Sequence, residues 1–205
     1  MSEYTLYCFD KSGNSYKAAL LMNLAKADWS PRFVDFFNGE TKTPEYRKLN
    51  IMGEAPLLIH NEQVFSQSGV ILNYLSESLN KYGPKNDAER NEILRWLLFD
   101  NHKLTSYTAT LRFLRTFTDQ GENEVTKFLE ARSKGALSVL NTHLEINAFA
   151  VGERLTIADF SMCGYLYYRD EIGIDFSEYP NILRWLGDIE AQDGWQHPYD
   201  LMPSE

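Results

Sequence analysis

The chain has 205 residues, 43% hydrophobic and 14% aromatic, enough apolar material for one large core or two smaller ones and too much for an intrinsically disordered chain. Its net charge of −9, from 20 basic and 29 acidic residues, argues against nucleic-acid binding through a general electrostatic footprint, and no basic stripe interleaved with aromatics offsets it. No apolar run is long enough to span a bilayer, the start MSEYTLYCFDKSGNS lacks a signal-peptide pattern, and two cysteines cannot make a disulfide framework, so a cytoplasmic protein without membrane association is expected.

The first 79 residues alternate between strand and helix signals. Residues 4–9 read as a short apolar strand, and residues 16–27 as a helix with Ala18, Ala19, Met22 and Ala25 at helical spacing. Residues 32–37 suggest a second strand, and residues 43–49 a short helix opened by Pro44, whose fixed φ suits a first turn. Leu57, Leu58 and Ile59 form a buried-strand run, with Val64 and Phe65 as its hairpin partner across the polar residues 60–62. Ser68 stands where a helix starts, ahead of Val70, Ile71, Tyr74 and Leu75. The order is βαβαββα, in which the first three elements form a right-handed crossover.

Residues 80–88, with Gly83 and Pro84 among polar neighbours, read as a linker. Residues 89–205 show only helical patterns. A long amphipathic helix covers 89–117, and after a break at 118–121 a second covers 125–146. Thr156 and Asp159 match a capping box opening an apolar helix through about Tyr168, and Pro180 sets off a last helix over 181–191.

The chemistry concentrates between Gly53 and Leu75. A proline ahead of a buried strand donates no ladder hydrogen bond, so the backbone edge of the preceding residue, Ala55, is left for a ligand. The Ser68 hydroxyl and the free amides of a helix N-terminus offer a carboxylate site close by. Together these suit an extended, peptide-like anion. In so acidic a chain that anion must be held locally, and Lys11, Lys17, Lys42 and Arg47 supply charge in the first quarter, most of it as plain surface. His60, His102, His143 and His197 have no metal-ligand spacing, and no phosphate-binding glycine loop is present.

The Ala55-Pro56 and Gln67-Ser68 pairs, with the hairpin between them, resemble the glutathione-binding half of soluble glutathione S-transferases, bacterial-like and of the serine type. The Gly152-Glu153-Arg154-Leu155-Thr156-Ile157-Ala158-Asp159 stretch is similar to the capping motif of that family's helical domain. The resemblance implies an α/β thioredoxin-like N-terminal domain over 1–79 and an all-α C-terminal domain over 89–205, assembled as a homodimer. Glutathione would be the co-substrate, with no metal. Residue by residue, it implies that Pro56 is cis, that the Ala55 backbone pairs with the cysteinyl amide, that Gln67 and Ser68 hold the γ-glutamyl end, and that Lys42 is a candidate for the glycyl carboxylate. Glu54 departs from the pattern, carrying a charge of the wrong sign where relatives often have lysine or glutamine.

In the family the loop after the first strand carries the thiol-activating group. A free thiol has a pKa near ~8.5, and a hydroxyl donor beside a helix N-terminus lowers it. Counting back from Tyr16-Lys17-Ala18 places Ser12 on the family's catalytic serine, with Asn14 as a second candidate donor and Ser15 as the expected helix cap. Tyrosine-type chemistry is disfavoured because Cys8 stands near the matching position, and cysteine-type chemistry because the loop has no thiol. For a largely apolar electrophile the expected pocket residues are His102, Tyr107, Leu111 and Arg112, at roughly helical spacing, with packing or a dimer interface as the alternative role for the same four. Two rivals accompany this reading. One is a glutathione-dependent cis-trans isomerase similar to the maleylacetoacetate isomerase class, needing Arg112 or Arg115 as a cleft cation. The other is a non-catalytic binding or scaffold protein of the same fold.

Overall fold

The computed structural model describes residues 3–205. They form two compact units, one comprising residues up to Gly83 together with Gln192–Glu205, the other Pro84–Ala191. The C-terminal stretch therefore groups with the first unit, where the sequence pattern had placed all of 89–205 in one helical domain.

The first unit holds β1 (Tyr4–Cys8), α1 (Gly13–Ala25), β2 (Trp29–Phe33), α2 (Pro44–Leu49), β3 (Leu57–His60), β4 (Gln63–Ser66) and α3 (Ser68–Ser78), in the expected order βαβαββα. The sheet order is β2-β1-β3-β4, with β1 and β2 parallel and the other pairs antiparallel. Pro31 is tolerated in β2 because β2 is an edge strand. That strand begins earlier than its apolar residues suggest. The hairpin turns on Asn61 and Glu62, both with positive φ, the geometry that matches the twist of paired strands.

Tyr4, Leu6 and Cys8 alternate onto the fully buried face of the sheet, and the Tyr4 hydroxyl meets Ser78 of α3 at 3.2 Å. On the α2 side Phe9, Val34 and Tyr46 make a smaller cluster packed by Tyr7, Phe33 and Ala55. Burial pushes the Cys8 thiol from 9.0 up to about 12. The native chain thus keeps this proton where the unfolded chain loses it, so the associated stability is complete below about pH 9 and is lost as pH rises toward 12. Native protein at pH 8 is expected to leave Cys8 unmodified by iodoacetamide, with alkylation appearing only in denaturant; rapid native labelling would contradict this burial.

The C-terminal residues Gln192–Glu205, which include α10 (Pro198–Leu201), lie on α1 and the loop before it. The Tyr16 hydroxyl donates to the Gln196 carbonyl at 2.7 Å, Asn23 to Gly194 at 2.6 Å, and the Asp10 amide to the Pro203 carbonyl at 2.9 Å.

The second unit contains α4 (Asp87–Phe99), α5 (Thr105–Phe117), α6 (Glu124–His143), α7 (Ile157–Cys163), α8 (Arg169–Ile172) and α9 (Pro180–Glu190). The expected 89–117 helix is interrupted by a π-turn at Asp100–Leu104, and the apolar run after Thr156 ends at Cys163 before a separate 3₁₀ turn, Leu166–Tyr168. Asp100, nearly inaccessible, accepts hydrogen bonds from Thr105 (2.7 Å) and Ser161 (2.6 Å) beside the π-turn. The Thr156–Asp159 capping box forms as expected. No helix among the described residues is long and apolar enough to cross a membrane.

Candidate active site

Sheet register assembles the site in the first unit. Tyr7 of β1 pairs with Leu57 of β3, and Leu57 with Ser66 of β4. The loop leaving β1, the residues entering β3 and those leaving β4 are therefore neighbours at one end of the sheet, although the last two groups lie about 45 to 60 residues beyond the loop in sequence. α1 and α3 start from this end and pack against each other. Ser12, Asn14, Ala55, Pro56, Gln67 and Ser68 are thereby brought together.

Ser12 is buried and is itself the N-cap of α1, the role expected of Ser15. Its Oγ accepts from the Ser15 amide at 3.1 Å and from the Ser15 hydroxyl at 2.9 Å. Two acceptances fill the lone pairs of the oxygen and leave its own proton to donate. Asn14 is half-buried; its Oδ1 accepts from the Ser68 hydroxyl at 3.4 Å, and its side-chain nitrogen has no partner among the described residues.

The Ala55-Pro56 peptide is cis, and Pro56 is buried. The β3 ladder begins at Leu57, so the sheet does not use the backbone edge of Ala55. The preceding carbonyl, that of Glu54, accepts from the Tyr46 hydroxyl at 3.0 Å and the Asn50 amide at 2.8 Å. These two buried donors hold the approach to β3 in place and were not anticipated. An aromatic and an asparagine, eight and four residues before a fixed carbonyl, give little local signal. Burial pushes the Tyr46 phenol up to about 12, which keeps it a donor.

Gln67 stands at φ 69°, ψ 118°, a conformation costly for a residue with a side chain. Its amide donates to the Glu54 carboxylate and to Met52 Sδ, both at 2.9 Å, which anchors it there. Glu54, out of pattern by charge, thus orients Gln67. Gln67 makes no side-chain cap to α3, so the first amides of that helix are free of a side-chain acceptor, with Ser68 at the first position. Lys42 is exposed at the end of the 3₁₀ turn Glu40–Lys42.

The four residues expected around the second substrate do not form one group. Leu111 is fully buried in the second unit. Arg112 is 2% exposed, paired with Glu171 at 2.8 Å and lying 3.8 Å over the Tyr168 ring, so both residues belong to the interior of that unit. His102 is exposed within the π-turn, and Tyr107 is half-buried against Arg132. The π-turn shifts the phase of His102 relative to the other three, which share α5 but divide between its buried side and its partly exposed one. Arg115, the other candidate cation for a diacid, is held by Glu122 and Glu130 at 2.8 and 2.6 Å. Among the described residues no group of three His, Cys, Asp or Glu side chains could hold a metal.

The glutathione S-transferase N-terminal domain family matches residues 2–77 and the C-terminal domain family residues 101–193. A possible glutathione S-transferase from Rhodopseudomonas palustris is 30% identical in a structural match with TM-score 0.90, covering 96% of this chain and 90% of that one. A glutathione S-transferase from Pseudomonas fluorescens is 28% identical with TM-score 0.90, covering 96% and 99%. Glutathione S-transferase 1 of Dianthus caryophyllus is 27% identical over 199 residues, 94% of this chain and 88% of its own length. The two domains in order, a thioredoxin-like α/β unit and a helical unit, place this chain in the soluble glutathione S-transferase family, as a glutathione transferase.

Proposed function

We propose that the Ser12 hydroxyl donates to the sulfur of bound glutathione and holds it as thiolate, which attacks an electrophilic carbon on a largely apolar substrate. The sulfur–carbon bond forms as the leaving group departs with its electron pair, the thiol proton having gone to solvent. The observation that carries this is the convergence at one end of the sheet of a doubly accepting serine, an unused backbone edge at Ala55 and an α3 N-terminus without a side-chain cap. Their order matches an extended tripeptide. Ala55 pairs with the cysteinyl amide as an added strand does, while Gln67, Ser68 and the α3 amides take the γ-glutamyl carboxylate. Asn14 supplies a further donor, and Lys42 the charge for the glycyl carboxylate. On family grounds the protein works as a cytoplasmic homodimer in detoxification.

The test is conjugation of glutathione to an activated aryl halide, beside isomerisation of a cis-unsaturated diacid and retention on immobilised glutathione. Conjugation with retention supports the proposal. Isomerisation alone transfers the site to the diacid reaction, and neither retention nor turnover at millimolar glutathione leaves a scaffold. Both Arg112 and Arg115 are engaged by carboxylates, which weighs against the isomerase.

Glu54 gives a second prediction. Glu54→Gln keeps an acceptor for Gln67 while removing an exposed negative charge beside an anionic ligand. Glutathione affinity is expected to rise about two- to fivefold at low salt, with the gain fading at high salt. Calorimetric titration at two ionic strengths checks it, and a weaker variant would mean that the carboxylate itself is needed to fix Gln67.

A further inference from the structure

Residues 193–203 run along α1 in the opposite direction and end on the loop that carries Ser12. The segment leaves a turn in which the Trp195 amide donates to the Gln192 carbonyl at 3.0 Å, with Gly194 in the third position at φ 91°, where glycine is favoured. Asp193 pairs with Lys26, the cap residue that follows α1, at 2.6 Å. The Gly194 carbonyl accepts from Asn23 at 2.6 Å, and the Gln196 carbonyl from the buried Tyr16 hydroxyl at 2.7 Å. His197 then caps α10, Pro198 and Met202 are buried, and the Pro203 carbonyl accepts from the Asp10 amide at 2.9 Å. As the segment advances, its partners step back from Lys26 through Asn23 and Tyr16 to Asp10. The pair at the far end is exposed on both sides and contributes little. The contacts nearest Ser12 are the sheltered ones.

The last contact bears on the chemistry. β1 ends at Cys8 and α1 begins at Gly13, and the loop between them is a turn closed by the Ser12 amide on the Phe9 carbonyl at 3.1 Å. Asp10 is a corner of that turn, two residues before Ser12, and its amide is taken by Pro203 and not by the sheet. We infer that residues 193–203 form a strap that positions Ser12 for the reaction, Gln196 and Pro203 being positioning residues that act through α1 and the loop. The inference rests on the reading of Ser12 as the donor to the glutathione sulfur and deepens it. Ser15 fixes one side of the Ser12 oxygen, and the strap fixes the backbone from which that oxygen projects. A donor displaced by about 1 Å forfeits up to about 10²-fold in rate, so a loop held at its corner is worth more to the chemistry than to the fold. Ala55, Gln67 and Ser68 stand on other segments, so the strap should govern activation of the thiol and spare its binding.

The experiment compares the full chain, a chain ended after Leu201 and Tyr16→Phe, each with and without Ser12→Ala. Ending the chain at Leu201 is expected to lower kcat for conjugation about tenfold while KM for glutathione stays within about twofold. The thiol pKa read from the pH profile should rise by about half a unit or more. Tyr16→Phe, which removes only the donor to Gln196, should move both quantities the same way, with about a threefold loss in kcat. On top of Ser12→Ala neither change should cost further activity, because both act through the one hydroxyl. Tyr16→Phe carries the test alone if the shortened chain does not fold. A lower melting temperature with an unmoved pH profile, a raised KM with kcat kept, or losses that add to that of Ser12→Ala would make the segment packing and overturn the inference. A thiol pKa unmoved in Ser12→Ala itself would overturn the reading of Ser12, and the inference with it; a shift there with none in the strap variants overturns the inference alone.

Discussion

Ser12→Ala is expected to lower kcat/KM for glutathione conjugation about 10²-fold, the loss typical of removing one preorganised donor from a developing or stabilised anion. Because Ser12 also caps α1, the same variant should lose about 1 kcal/mol of stability. The two roles separate chemically. Ser12→Thr keeps both the acceptor and the donor and should stay within a few-fold of wild type. Ser12→Asp keeps the cap acceptor but has no proton to give and sets a like charge beside the thiolate, so it should fold and remain inactive. Steady-state kinetics with thermal unfolding on all three variants decides the matter. An active Ser12→Ala with reduced stability would leave Ser12 a cap and nothing more.

Asp159→Ala carries the largest expected loss of stability, about 3–5 kcal/mol, or a fall in melting temperature of about 10 °C for a chain of this size. The carboxylate is fully buried, and burial raises its pKa against the pull of its donors. Oδ1 accepts from the Ala150 amide at 2.8 Å and the Trp185 indole at 3.0 Å, and Oδ2 from the Thr156 amide at 2.8 Å and hydroxyl at 3.0 Å. Removing it strands donors from three segments inside the core. Asp159→Asn, of equal size, should recover only part of the loss because its amide NH₂ must face a donor. Calorimetric unfolding checks both, and a loss below ~1 kcal/mol for alanine would mean that Asp159 is an ordinary helix cap.

What could be read from the sequence was local chemistry. The Leu57–Ile59 run, its polar turn and Ser68 are contiguous signals, and β3, β4 and α3 follow from them. Thr156 and Asp159 are three residues apart, so the capping box was legible, yet Trp185, which completes the buried cluster 26 residues on, was not. The phase of the second unit's long helix was misread because a π-turn leaves no simple mark in residue type. Arg112 looked like a polar contact for a substrate because Glu171, its partner 59 residues away, is invisible to helical spacing. The same limit hid the tail, whose Gln196 carbonyl takes the Tyr16 hydroxyl across 180 residues. At the candidate site Ser12 takes the capping role expected of Ser15, since either serine could cap the helix and only the backbone turn at Ser12 decides between them.

The central claim is that Ser12 holds the glutathione sulfur as thiolate. Its most direct test is the ultraviolet absorbance of the thiolate in the bound complex, followed against pH in wild type and in Ser12→Ala. The thiol of bound glutathione should titrate about one to two units below its free value in wild type and return toward that value, near ~8.5 for a free thiol, in the variant. An equal depression in both proteins would contradict the claim and move the role to Asn14 or to the N-terminus of α1.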